Sequence, residues 1–164
     1  MPITTTDIIY RLSGGAANSD PLLSIGGIKS SVASSSTIFD DVSSVEASAG
    51  DIEYRLVYIH NAHGSLSYQA AAVWIQAQTP SASTDVAIGL AAAGLNGTET
   101  AVANENTAPA GVSFSAPSTF GAGLALGTIP AGQHYGVWVR RTVNAGAASA
   151  SDSFTLRVQG DTNP

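Results

Sequence analysis

The side chains able to do chemistry are few, and their spacing limits what they can do. Three histidines occur, His60, His63 and His134. His60 and His63 follow a strand-like run, and three residues apart on an extended chain sets them on opposite faces, whereas metal ligands must converge. With a cysteine count of zero and no third ligand at a matching spacing, the pair reads as loop histidines, and no metal or cofactor is expected. His134 has no nucleophile elbow or other local signature beside it, so a hydrolase triad is unsupported. Asp40, Asp41, Glu46 and Asp51 form a loose acidic group; the spacing does not match a calcium loop, and it reads as a solvated turn. Gly121, Gly123 and Gly127 resemble a phosphate-binding pattern, but no helix follows to supply the amides. Nothing gathers acid, base and nucleophile, so the chain is read as a non-enzyme.

The remaining candidates are contact residues. Arg140 and Arg141 are adjacent on one predicted strand, so one faces the core side and the other the opposite side. A guanidinium inside a sandwich needs a carboxylate or carbonyl. One intramolecular pair plus a solvated arginine is one reading; an acid on a neighbouring chain is the other. Trp74 and Trp138 both fall opposite the aliphatic residues of their strands. They point outward, towards another subunit, the N-terminal arm or a ligand, unless the arm of the same chain buries the strands on both sides.

The elements that would position these residues are strands. Residues 129–143, IPAGQHYGVWVRRTV, open on a Pro-Ala-Gly turn and run extended, with Tyr135, Val137 and Val139 on one face and His134, Trp138 and Arg140 on the other. In AGDIEYRLVYIHN, Tyr54, Leu56 and Tyr58 share a face opposite Arg55, Val57 and Ile59. Further strands are expected at 66–78, 84–90, 112–114, 124–129 and 153–159, with no convincing helix. Residues 92–111 lack a period and form a candidate contact loop. These short strands predict an all-β, antiparallel β-sandwich, jelly-roll or immunoglobulin-like, over residues 51–160, followed by a loose tail at 161–164. Residues 1–50 are Ser/Gly-rich with scattered apolar side chains and read as an extended N-terminal arm. That arm either embraces a neighbouring subunit through Ile8, Ile9, Tyr10, Leu22, Leu23 and Ile25, or forms an edge strand with surface loops. The first reading predicts that deleting residues 1–30 leaves a folded sandwich.

Composition narrows the partners. Of 164 residues only 11 % are charged, the net charge is -6, and Lys29 is the single lysine. Nucleic acid, which needs clustered cations, is not an expected partner. No membrane partner is expected either, since no apolar run reaches spanning length and the N-terminus lacks the flanks of a signal peptide.

The phrases AGDIEYRLVYIHN, NENTAPAGVSFSAP and GTIPAGQHYGVWVRRTVNAGA, in order over roughly residues 50–162, resemble a group of tailed-bacteriophage virion structural proteins, in the style of capsid decoration or cement proteins. That resemblance implies a homotrimer on the outer capsid surface that binds the major capsid protein and braces the shell across subunit boundaries. It carries over no catalytic or ligand motif. A tail, neck or fibre component would share composition and fold, and a carbohydrate-binding sandwich with Trp74, Trp138 and Tyr135 as a stacking platform is a third reading.

Overall fold

A computed structural model describes residues 1–147 and 152–162. The end of the expected small-residue turn, at 148–151, and the last two residues of the expected tail lie outside them. The chain folds as an antiparallel β-sandwich. One sheet has the order β1-β2-β6-β4 (Ile8–Leu12, Asp51–Asn61, His134–Val143, Thr84–Leu95), the other β5-β3-β7 (Leu124–Ile129, Tyr68–Ala77, Thr155–Thr162).

The alternation read in the sequence sets the layers. Val57, Ile59, Val137 and Val139 pack with Val73, Ile75, Leu126 and Ile129 of the second sheet in the inter-sheet core, and hydrophobic burial of this kind is the main favourable contribution to folding. The opposite face of the first sheet is buried as well. Tyr54, Leu56, Tyr58, Ala91 and Trp138 form a second core, capped by Val102, Val112 and Phe114 of the long connection after β4. Gly89 makes this possible. A Cβ there would lie 2.5 Å from Val112 Cγ1 and 2.7 Å from Ser113 O, so only glycine lets the covering segment approach.

Several boundaries differ from the expected ones. β4 continues to Leu95, which shortens the aperiodic stretch, and residues 112–114 form no strand; Ser115 makes an isolated bridge to Ile88 instead. β7 runs through Asp161 and Thr162, because both pair with the start of β3, so the strand includes the first half of the expected tail. One short helix, α1 (Ser44–Ala49), starts on a capping box between Ser43 and Glu46. Each partner satisfies an amide that helix geometry leaves free.

Residues 1–50 fold against their own chain. β1 pairs with β2 from Ile8↔Asn61 to Leu12↔Val57, Leu12 is buried, and Ile38 and Phe39 enter the inter-sheet core. Beyond Leu12 the edge of β2 is completed by loops: the amide of Leu56 donates to Ser24 O at 2.7 Å and that of Tyr54 to Glu105 O at 2.7 Å. In the single chain these residues are an edge strand with loops, and residue 50 is not a packing boundary. Deletion of 1–30, expected from the sequence to leave a folded sandwich, would strip one edge of β2 of its β1 and Ser24 partners.

Candidate functional site

The most concentrated charge in the molecule lies at the end of the inter-sheet core. Glu53 and Arg55 sit on the same face of β2 as Val57 and Ile59, and both are fully buried. Arg141 lies opposite Glu53 in the β2–β6 register. Its Nε donates to Glu53 Oε2 at 2.5 Å and its Nη1 to Asp40 O at 2.6 Å. Arg55 donates to Glu105 Oε2 through Nη2, which lies 3.8 Å from both Asp40 Oδ1 and Glu53 Oε1. Phe39 lies among the cations, its ring centre 5.4 Å from Arg55 Cζ and 4.8 Å from Arg141 Cζ. Burial pushes the Glu53 carboxyl up to about 7 against the opposing pull of Arg141 and Arg55, since removing a carboxylate from water disfavours its charge.

Oxygens of Asp40, Glu53 and Glu105 lie within 4.8 Å of one another, a spacing at which carboxylates bind cations. Here Nη2 of Arg55 takes that place. The chain supplies its own cation, and two guanidinium groups against three carboxylates make the cluster a structural clamp joining loop 36–42, β2, β6 and loop 96–118. Arg141 makes the intramolecular pair expected for one of the adjacent arginines. Arg140 faces the second core, with its Cζ 5.3 Å from the Phe114 ring centre. The expected acidic turn is divided among three tasks: Asp40 joins the clamp, Glu46 caps α1, and Asp51 accepts from Asn106 Nδ2 at 2.8 Å.

His60 and His134 are directly opposite in the β2–β6 register. The His134 ring meets Tyr58 edge-on, with centroids 4.8 Å apart. Burial holds both histidines below their ordinary value, with Lys29 adding repulsion to each. His63 is elsewhere, its Nδ1 accepting from the amides of Ser65 and Leu66 at 3.2 and 2.9 Å. These contacts order a strand end.

The tryptophans are interior, which corrects their assignment as outward anchors. Trp138 is 0 % exposed, because the connection after β4 covers it, and its indole N–H donates to Glu99 Oε1 at 3.3 Å. The backbone of Glu99 donates to Tyr58 Oη at 3.0 Å, and its Oε2 accepts from Ala93 N–H at 2.8 Å. The expected contact loop is thus largely a lid on the second core. Trp74 is buried on the outer face of the other sheet by Phe120, at 5.7 Å between centroids, and by Arg157. Tyr135 packs against the inter-sheet core. Trp74, Trp138 and Tyr135 therefore share no surface and do not form the expected stacking platform together.

Of the expected contact residues, Ile8, Ile9 and Tyr10 are half-buried in β1, and Ile25 is half-buried. Leu22 and Leu23 are open, 42 % and 56 % exposed, and Ile28, which the sequence reading did not single out, is 56 % exposed. Leu23 and Ile28 flank one turn: a Cβ on Gly14 would lie 2.2 Å from Leu23 O, and Gly15 N–H donates to Ile28 O at 3.2 Å. The turn is held by side chains. Asn18 Nδ2 donates to Ser13 O at 2.6 Å and to Asp20 O at 2.9 Å, and Ser30 Oγ donates to Asn18 O at 2.7 Å. Ordered loops carrying solvent-facing leucine and isoleucine suit a contact surface.

No family model matches the chain, and neither a curated protein nor a solved structure matches it.

Proposed function

We propose that the protein is a virion structural protein of a tailed bacteriophage, a capsid decoration protein that binds the major capsid protein on the outer head surface and stabilises the shell across subunit boundaries. The observation that carries this reading is the pairing of exposed Leu22, Leu23 and Ile28 with a loop already ordered by its own hydrogen bonds. Apolar side chains carried on an ordered loop lose little conformational entropy on docking. The phrase-level resemblance gives the class of partner. The charge distribution supports it: Arg55 and Arg141 are consumed internally, leaving an acidic molecule poorly suited to the packaged DNA.

Labelling purified virions with an antibody against the chain tests the proposal. Label over the heads is expected; label confined to the tail would favour a tail, neck or fibre component instead, and unlabelled virions would overturn the virion assignment.

A further inference from the structure

Two sheets have four edges, and the chain treats them unequally. Residues 30–34 bond to the β1 edge, with Leu12 N–H donating to Val32 O at 3.2 Å and Ser34 N–H to Tyr10 O at 2.8 Å. Ser115 exchanges two bonds with Ile88 on the β4 edge, at 2.8 and 2.9 Å. β5 is short and interrupted by Gly127 at φ 71°. β7 is different. It has eight residues without proline or lysine. The irregularities in its pairing with β3 fall on the β3 side, where Ala70 has φ 48°. Among the described residues no backbone group outside the sheet bonds to it. The buried Tyr10 hydroxyl reaches the Val158 amide, but no strand covers this edge, and a regular edge strand without a backbone partner is a template for another strand, which natural proteins usually blunt.

We propose that this edge binds the same edge of a second copy of the chain, antiparallel, about a two-fold axis through Gln159, joining two three-stranded sheets into one of six strands. The side chains supply the register. Thr155, Arg157, Gln159 and Asp161 are the exposed row of β7. Arg157 and Asp161 are four residues apart, roughly 13 Å along an extended chain, too far to pair with each other. Neither makes an ion pair elsewhere among the described residues. With Gln159 on the axis, Arg157 of each copy faces Asp161 of the other, and the two Gln159 side chains meet at the centre. Centring the axis on Arg157 or Asp161 would instead set like charges opposite, which is unfavourable in a strand pair. The strand is therefore self-complementary in one antiparallel register. Arg157 is already laid along the sheet, its Cζ 5.7 Å from the centre of the Trp74 ring. Such a contact is isologous and closes at two copies.

Sedimentation analysis of the full chain provides the test. A mass twice that of the 16.5 kDa chain is expected. Asp161→Arg should weaken the dimer by at least about tenfold, since two attractive pairs become repulsive, and the charge swap R157D/D161R should restore it. Circular dichroism and thermal melting should find all three proteins folded, because Asp161 is solvent-facing and Arg157 lies over Trp74 at the surface, where its replacement leaves both cores intact. A wild-type monomer or trimer, a dimer indifferent to the single reversal, or a swap that fails to restore a folded variant would overturn the proposal.

Discussion

Replacing Arg55 by alanine removes the cation on which three carboxylates converge. The side chain is fully buried and contacts Glu105, Asp40, Glu53 and the Tyr54 carbonyl. Breaking a buried ion pair from one side costs about 3–5 kcal/mol, because the remaining charge loses its compensation without regaining water. In a chain of 164 residues, each kcal/mol lowers the melting temperature by about 2–4 °C, so a fall of about 6–20 °C is expected. Thermal unfolding at pH 7.5 reads it directly. At pH 5 the deficit should shrink, since Glu53, already raised towards 7 by burial, can take up a proton in place of the missing partner. A loss of under about 3 °C, or a deficit that grows on acidification, would refute the view that Arg55 is the internal counter-ion of the cluster.

Other outcomes follow from the same contacts. Leu12→Ala should cost about 2–5 kcal/mol, as for other large-to-small changes in a core, because the side chain is 1 % exposed; chemical denaturation measures it, and deletion of residues 1–30 should give an unfolded product by circular dichroism. Glu53 has a folded-state pKa above its ordinary 4.5, so the folded state binds the extra proton between about pH 7 and 4.5, and wild type should gain stability relative to Glu53→Gln as the pH falls through that window; a pH-independent difference would contradict this. His60 and His134, held low by burial, act in the opposite sense, losing stability as the pH falls below their ordinary 6.5, and a His60→Gln/His134→Gln variant should lack that acid-side loss in denaturant titrations. Replacing Leu22, Leu23 and Ile28 by serine should leave stability within about 0.5 kcal/mol of wild type while reducing binding to phage heads in a co-sedimentation assay.

The strands were legible because alternation of side chains is a local property. Tyr54, Leu56 and Tyr58 against Val57 and Ile59, and Trp138 against Val137 and Val139, fall on the faces their spacing assigns. The same alternation placed Arg55 among inward residues, a visible sign of a buried counter-ion, though its partners come from positions 40 and 105, which no local pattern connects. Trp138 was misassigned for a related reason. Its face could be read, but the cover on that face comes from residues 96–118, whose attachment depends on Gly89, Glu99 and Val112 meeting across distant sequence. For residues 1–50 the sequence leaves both an embracing arm and an edge strand with loops open, because their apolar residues are sparse. They are held largely by backbone and serine hydrogen bonds to β2 and to one another, such as Leu56 N–H to Ser24 O. The capping box of Ser43 and Glu46 was a readable helix signal that the surrounding small residues obscured.

The most direct test of the docking role is to add the purified chain to phage heads that lack it and to image them by electron cryomicroscopy. The account predicts saturable density on the outer shell at symmetry-related positions, with the Leu22, Leu23 and Ile28 loops against the major capsid protein. Bare shells at saturating protein would contradict it.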